Sequence, residues 1–261
     1  MRYGFGFGLS YTTFSIKTQK VTVSNLNSEN SVLTAAVEVT NTGVTYSGKE
    51  VVQIFVSCPQ GSRVKEYRRL AGFAKTKELA PDEKQSLSIT FPLYQLTSYE
   101  EETASWVLDG GNYGIWVGNS LSDAKLCAVL SLDQSAVMVS GSNICKKQRE
   151  LEEITPDQAK LLEKQKAWEA IAKEENLPNL QIKSDQIQTK TISYNADQEP
   201  FTGRAKEIVE NMTTDQLLLL ATGDISMGQG SAIGNAGQSV PGAAAETTSA
   251  FAKPPMTNPR E

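Results

Sequence analysis

The chain has 261 residues, enough for one or two domains with a sizeable buried core. Its net charge of −5 argues against a surface that binds nucleic acid or anionic membranes. It contains no histidine, which excludes Ser-His-Asp catalysis, Cys-His catalysis and histidine-ligated zinc within this chain. Chemistry carried by carboxylates alone remains compatible with the composition.

The sequence indicates neither a membrane span nor a cysteine framework. No apolar run approaches the length of a transmembrane helix, so no membrane partner is expected. The first residues, MRYGFGFGLSYTTF, lack the cationic and aliphatic sections of a signal peptide, which predicts a cytoplasmic protein. Cys58, Cys127 and Cys145 are odd in number and lack metal-like spacing, so we interpret them as buried or incidental thiols.

Short runs rich in β-branched and aromatic residues follow a glycine- and aromatic-rich start at residues 1–9. The predicted strands are residues 14–23, 32–40, 49–57, 70–77, 86–92, 105–108, 113–118 and 126–132. Short strands with turn signals about every ten residues are typical of an immunoglobulin-like or fibronectin type III-like β-sandwich.

The stretch 37–56 dominates this pattern. Two β-rich runs, 32–40 and 49–57, alternate apolar and polar residues with a period of two, and we interpret them as the central strand pair. The turn-forming residues between them are expected to supply side-chain turn contacts and positive φ where needed, and they include Asn41, Gly43 and Gly48.

Two features leave a structural and a functional alternative open. The basic loop, residues 59–69, carries Arg63, Lys65, Arg68 and Arg69. It is either a solvated surface or a contact with an acidic partner or neighbouring domain. Trp106 and Trp116 are interpreted as core residues, with a carbohydrate-stacking platform as the alternative. Exposure of the indole rings would distinguish the two.

Other candidate site residues carry weak signals. Glu100, Glu101 and Glu102 form a carboxylate cluster in which like charges raise one another's pKa, but a solvated acidic turn is the preferred interpretation. No role is assigned to Glu246. Three glycines superficially resemble a phosphate-binding loop, but its lysine and preceding strand are absent; they are Gly228, Gly230 and Gly234.

After residue 132 the character of the chain changes to helix. Residues 155–177 predict a helix capped by Thr155, with Pro156 in the first turn. Residues 179–200 are polar and are interpreted as a linker or extended arm. Residues 202–220 predict a second helix that breaks and recaps within 211–215.

Four motifs occur in a consistent order along the chain: GFGFGLSYT at 4–12, EYRRLAGF at 66–73, LAPDE at 79–83 and RAKEIVENMTTDQLLLL at 204–220. This ordered set resembles family 3 glycoside hydrolases. GFGFGLSYT at 4–12 is similar to the segment that closes the family's α/β sandwich domain. Four further stretches resemble the family's fibronectin type III-like domain: 37–56, EYRRLAGF at 66–73, LAPDE at 79–83, and 106–126. RAKEIVENMTTDQLLLL at 204–220 and the stretch 228–250 are similar to the opening of the family's (β/α)8 barrel.

The resemblance implies a reversed domain order in which the barrel comes last. Residues 1–13 would end the α/β sandwich domain, and 14–133 would form the fibronectin type III-like β-sandwich. Residues 134–200 would be a linker carrying the helix 155–177. Residues 201–252 would start the barrel, and 253–261 would be a disordered tail. The expected fold class is therefore mainly β, followed by an α-helical, partly disordered C-terminal segment.

The resemblance also implies an activity for the intact parent, a β-glucosidase-like enzyme. Such enzymes hydrolyse terminal β-glycosidic bonds with retention, using two carboxylates about 5–5.5 Å apart and no metal or organic cofactor. In the family, both carboxylates lie outside the segments matched here, and Lys253, Pro254 and Pro255 stand where its glucose-binding motif is expected. We therefore carry over no catalytic residue and expect an inactive partial chain.

Two alternatives stay open beside this interpretation. One is a non-catalytic carbohydrate-binding module, and the other is a protein-interaction module that docks a partner through the basic loop and the helix 155–177. The expected partner of the intact parent is a β-glucoside or oligosaccharide. A homo-oligomer through the β-sandwich or the helix is a further expectation.

Overall fold

The computed structural model describes residues 3–143, 146–149, 154–192 and 203–222. The chain divides into two compact units, Met1–Tyr194 and Asn195–Glu261, and each is described by itself. Among the described residues, no helix combines the length and apolar character that crossing a membrane requires. Cys145, Glu246 and the three glycines Gly228, Gly230 and Gly234 lie outside the described residues.

Twelve strands are seen in the described part of the first unit. They are β1 (Phe14–Ser24), β2 (Val32–Asn41), β3 (Val51–Ser57), β4 (Arg69–Lys75), β5 (Lys84–Pro92), β6 (Ser98–Glu100), β7 (Ser105–Leu108), β8 (Gly111–Gly118), β9 (Lys125–Leu132), β10 (Ala136–Ser140), β11 (Asn179–Ile182) and β12 (Lys190–Thr191). Short 3₁₀ turns occupy Leu93–Leu96 and Ser184–Gln186. The predicted mainly β class and the predicted strands are confirmed, with small shifts at strand ends.

The strands form three sheets. The first has the order β1-β2-β5, the second β12-β10-β7-β6, and the third β11-β9-β8-β3-β4. Neighbouring strands are antiparallel except for β11 with β9 and β10 with β12, which are parallel. The main core lies between the sheets and includes Leu33, Val37, Ile54, Tyr113 and Ile115.

The two strands predicted to form a central pair do not pair with each other. β2 pairs with β1 and β5, whereas β3 pairs with β4 and β8. Residues 42–50 therefore carry the chain from one sheet to another rather than forming a hairpin turn. The alternation that predicted strand faces is confirmed, because Val52, Ile54 and Val56 enter the main core while Phe55 packs on the opposite face of β3. Alternation fixes which residues share a face, but it does not select the partner strand.

Asn41 holds this crossover through its side chain. Its Oδ1 accepts hydrogen bonds from Thr12 Oγ1 at 2.6 Å and from the backbone N of Gly43 at 3.0 Å. Its Nδ2 donates to the carbonyl oxygens of Tyr46 and Leu79, both at 2.9 Å. The amide is fully buried, so these four bonds satisfy groups that water cannot reach.

The glycines of the crossover allow the backbone to pack closely against Thr12. This corrects the expectation that they supply positive φ. Neither Asn41, Gly43 nor Gly48 has a positive φ. A Cβ atom on Gly43 would lie 2.0 Å from Thr12 Oγ1, and one on Gly48 would lie 2.8 Å from Thr12 Cγ2. Glycine is required at these positions because the segment packs directly against Thr12.

The helix α1, Gln158–Glu174, covers the outer face of the third sheet. Trp168 and Ala172 join a second apolar cluster with Phe55, Trp116 and Val129. This contact leaves β3 and β8 with almost every residue buried on both faces.

The cap of α1 differs from the one predicted. Asp157, rather than Thr155, is the N-cap residue, and its Oδ1 accepts a hydrogen bond from Lys160 N at 3.2 Å. An aspartate at this position both satisfies a free backbone N–H and interacts favourably with the positive end of the helix dipole, so it fixes the first turn there.

The described residues of the predicted linker, 134–200, add strands to the sandwich, which corrects that interpretation. β10 pairs with β7, β11 pairs in parallel with β9 at the edge of the third sheet, and β12 pairs with β10. Met138, Ile182 and Ile187 are buried in the main core. These strands have two to five residues each, so their few apolar side chains gave no clear period in the sequence.

The described part of the second unit contains two short helices, α2 (Gly203–Glu210) and α3 (Thr214–Thr222). The predicted break between them is confirmed. Thr213 Oγ1 accepts from Gln216 N at 3.3 Å, and Gln216 Oε1 accepts from Thr213 N at 2.8 Å. This reciprocal pair is a capping box, which starts a new helix at that point.

We expect Asn41→Ala to destabilise the sandwich by about 2–4 kcal/mol, because it leaves several buried backbone groups without partners. Urea unfolding followed by circular dichroism measures this. Asn30→Ala is the matched control, because Asn30 is exposed and its substitution should shift stability by less than about 0.5 kcal/mol. Equal stability of the two variants would contradict the role assigned to Asn41.

We expect Trp168→Ala to lower the free energy of unfolding by about 3–5 kcal/mol, because it removes the buried side chain that joins α1 to the third sheet. Ile171→Ala is the control on the same helix, since that side chain is largely exposed. Guanidinium unfolding curves of both variants give the comparison. A Trp168→Ala variant as stable as the control would show that α1 does not depend on this contact.

Candidate functional site

The basic loop contributes two cations to a partly buried group of four charged side chains. Lys65 is only 4% exposed, and its Nζ donates to the carbonyl oxygens of Pro59 at 2.8 Å and Arg63 at 3.2 Å. The same Nζ lies 2.7 Å from Asp109 Oδ2. Arg63 pairs with Asp109 Oδ1 and, at 2.8 Å, with Glu100 Oε2. These four residues, Arg63, Lys65, Glu100 and Asp109, are called the Arg63 cluster.

The Arg63 cluster is a structural ion network. It contains two cations and two carboxylates, so its charges balance, and each oxygen of Asp109 already faces a cation. Buried charges are tolerated when they are paired in this way. The cluster therefore anchors the basic loop to the start of β8.

The remaining cations of the basic loop also have partners within the chain. The Arg68 guanidinium lies 3.5 Å from the centroid of the Trp116 ring and donates to Leu121 O at 2.9 Å. Arg69 pairs with Glu66 and donates to the carbonyl oxygens of residues 95 and 97. Burial acts to raise the pKa of Glu66, but the hydrogen bonds from Arg69 and from its own backbone, together with the positive charges of Arg69 and Lys65, outweigh burial and lower the pKa.

The basic loop contacts α1. The backbone N of Gln60 donates to Gln165 Oε1 at 2.8 Å, and Gln158 Nε2 donates to Gly61 O at 2.7 Å. The sequence left open a solvated surface or a contact with an acidic partner or neighbouring domain, and neither describes the loop fully. It is a surface loop whose cations are paired with groups of the sandwich itself.

The acidic residues 100–102 separate in the structure. Glu101 and Glu102 are exposed in a turn, as expected for a solvated acidic segment. Glu100 instead belongs to β6 and pairs with Arg63. This ion pair was missed because Arg63 lies in a distant part of the sequence and no local pattern joins the two residues.

The two candidate tryptophans have different environments. Trp116 is 7% exposed, and its Nε1 donates to Ser57 Oγ at 3.0 Å, which confirms it as a core residue. Trp106 is 37% exposed, so the core interpretation was wrong for this residue. It lies at the outward-facing position of β7, where the neighbouring residues Ser105 and Val107 point inward. Two tyrosine rings contact it, with centroids 5.6 Å (Tyr94) and 5.2 Å (Tyr99) away.

Tyr113 fixes the corner that leads into β8. Its hydroxyl donates to the carbonyl oxygen of Asp109 at 2.5 Å, four residues upstream. A tyrosine near the start of a strand that bonds back to the preceding backbone is the tyrosine corner of immunoglobulin-like sandwiches. Burial raises the pKa of Tyr113 well above its ordinary value, so the phenol stays protonated and remains a donor.

A polar cavity of about 720 Å³ lies beside β9 and β11, with Asp133 and Asp185 in its lining. Asp133 Oδ1 accepts hydrogen bonds from Ser184 N at 2.7 Å and Gln134 N at 2.8 Å, and the bond from Ser184 N is the main cause of its lowered pKa. Asp133 thus caps the neighbouring turn. Within the described ranges, no group of three or more acidic or cysteine side chains could hold a metal ion.

Comparison with known proteins identifies the sandwich. Residues 50–121 match the family model of the fibronectin type III-like domain. This part of the chain resembles a fibronectin type III-like domain. The match spans β3 to β8 and contains the basic loop, Trp106 and the Arg63 cluster, whereas α1 and the strands β9 to β12 lie beyond it.

The relatives of the fibronectin type III-like domain are β-glucosidases. The chain is 36% identical over 140 residues to β-glucosidase A of Butyrivibrio fibrisolvens, covering 48% of this chain and 17% of that protein. It is 36% identical over 143 residues to a β-glucosidase of Ruminococcus albus, covering 53% of this chain and 14% of that protein. The chain thus spans less than a fifth of the length of these relatives.

A solved structure agrees with the sequence comparison. The β-glucosidase from Paenibacillus barengoltzii matches with a TM-score of 0.52 and 36% identity, over 54% of this chain and 16% of that chain. The resemblance to family 3 β-glucosidases is therefore confirmed over about half of this chain.

We expect the thiols of Cys58 and Cys127 to be unreactive in the folded protein. Burial raises the pKa of Cys58 to about 12 and that of Cys127 to about 11, so both stay protonated at pH 8. A Cys145→Ser variant treated with Ellman's reagent at pH 8 should label slowly when folded and at both thiols in urea, where exposure restores an ordinary pKa. Fast labelling without denaturant would contradict the buried thiols.

Proposed function

We propose that this chain supplies the fibronectin type III-like part of a β-glucosidase and does not hydrolyse β-glucosides by itself. The observation that carries the proposal is the match to β-glucosidases over a stretch amounting to 17% of one relative and 14% of another. A glycoside is accordingly the substrate class, and a β-glucoside or oligosaccharide is the proposed substrate of the intact parent.

The environment of the carboxylates supports inactivity of this chain alone. Retaining hydrolysis needs one carboxylate free to attack the sugar and a second free to protonate the leaving oxygen. Arg63 brings Glu100 and Asp109 together, but it lies between them and pairs with both. Lys65 occupies the second oxygen of Asp109. We therefore propose that both catalytic carboxylates of the parent lie outside this chain.

We also propose domain limits that take account of the added strands. The sandwich domain would run from residue 14 to residue 192, because β10, β11, β12 and α1 all pack or pair with it. Residues 1–13 would end an α/β sandwich domain, 201–252 would begin a (β/α)8 barrel, and 253–261 would be a tail. These three assignments rest on the sequence resemblance alone.

The partner and location proposals rest on the net charge, the packing of α1 and the free thiols. We propose no nucleic-acid or membrane partner, on the strength of the acidic net charge of −5. A homo-oligomer through the sandwich remains a proposal, whereas α1 already uses Leu161, Trp168 and Ala172 against its own domain. A cytoplasmic location is proposed because Cys58 and Cys127 are free thiols.

Of the two alternative functions, the protein-interaction module loses support, because the basic loop and α1 contact each other. The carbohydrate-binding module gains support from the exposed ring of Trp106. This binding function is compatible with an accessory domain of a β-glucosidase.

The decisive experiment measures cleavage of p-nitrophenyl β-glucoside by the purified 261-residue chain. We expect no release above the buffer blank, with an authentic β-glucosidase as positive control. Glu100→Gln serves as a matched variant, because it removes the Arg63-paired carboxylate that is next to the exposed acidic turn. Turnover that persists through further purification and disappears in Glu100→Gln would contradict the proposal and place the catalytic acid inside this chain.

A further inference from the structure

We infer that Tyr94, Tyr99 and Trp106 form a binding site for β-linked glucose oligosaccharides, here called the aromatic platform. The inference deepens the proposed function, on which its choice of sugar rests. The three rings are in contact, and they are 39%, 41% and 37% exposed, respectively. They therefore form one continuous aromatic surface open to solvent.

The aromatic platform runs across the strands of the second sheet. Four residues on neighbouring strands form a cross-strand row. Its order is Tyr99 (β6), Trp106 (β7), Val139 (β10) and Lys190 (β12). Residues paired across a sheet project from the same face. The aromatic part of this row, from Tyr99 to Trp106, spans one strand spacing of about 5 Å, and Val139 and Lys190 continue the row without rings. Tyr94 adds its ring from the 3₁₀ turn that precedes β6.

The exposed aromatic area fits a sugar better than a protein partner. With about 40% of each ring side chain exposed, the platform offers roughly 200–300 Å². A stable protein interface buries about 800 Å² on each partner, so the platform alone is too small for one. A short oligosaccharide needs a contact of this smaller size.

The chemistry of the platform also suits β-linked glucose. Its hydroxyl groups are equatorial, which leaves flat faces of C–H groups that pack on aromatic rings. Tyr94 and Tyr99 have both an apolar ring and a polar hydroxyl, so the edge of the platform can bond sugar hydroxyls while its centre contacts the C–H face. The other described tryptophans, Trp116 and Trp168, are buried and cannot stack on a ligand. Trp106 is thus the indole available for this contact in the described part of the chain.

The test is a calorimetric titration of the full chain with cellotetraose. We expect saturable binding that weakens at least about ten-fold, or about 1.4 kcal/mol, in Trp106→Ala. Trp106→Tyr keeps an aromatic ring and should bind within a few-fold of the original chain. Phe73→Ala is the matched control, because Phe73 is an exposed aromatic (68%) in β4 of a different sheet, and its affinity should be unchanged. Urea unfolding of each variant checks that it is folded.

Three results would overturn the aromatic platform. They are no binding by the original chain up to the solubility limit of cellotetraose, equal affinity in folded Trp106→Ala, and a dimer in sedimentation that Trp106→Ala dissociates. The last result would assign the rings to a second copy of the chain. Cellotetraose is recovered and analysed by chromatography after the titration. If the sugar is intact but does not bind, the aromatic platform is contradicted and the proposed inactivity is not. If the sugar is cleaved, the proposed inactivity is contradicted.

Discussion

Burial of β3 and β8 on both faces is the constraint on which the rest of the sandwich depends. One face of these strands contributes Ile54, Val56 and Tyr113 to the core between the sheets, and the other is covered by Trp168 of α1. Because both faces are apolar, each must pack against other parts of the protein. The facing sheets bury one of these faces, and the other needs a further element. The positions of α1 and of the basic loop that contacts it both follow from the need for this further element.

The sequence predicted local features well and long-range ones poorly. The alternation of Leu87, Ile89 and Phe91, the break before α3 and the fibronectin type III-like class all follow from short-range patterns. The partner of β2 does not, because alternation defines a face and not a neighbour. The same limit applies to Trp106, whose sequence neighbours fit an inward or an outward ring equally well. Only the packed sheet determines which side faces water.

The candidate site shows the same division. The basic character of the loop was evident from its composition, but the partner that neutralises it was not, because Asp109 is 46 residues from Arg63. A local excess of charge in the sequence therefore does not reveal whether the partners of those charges lie inside or outside the chain. Of the three glutamates interpreted as a solvated acidic turn, Glu100 is paired with Arg63. Of the two tryptophans interpreted as core residues, Trp106 faces solvent.

The cover provided by α1 has a consequence for how such a domain can be inherited or transferred. Residues 134–192 are not part of the family match, yet they complete the apolar packing of the matched residues and extend two of their sheets. A gene fusion or rearrangement that keeps the matched residues and discards residues 134–192 would expose the indole of Trp116 and the ring of Phe55. The unit that evolution can move intact is therefore larger than the unit that sequence families recognise.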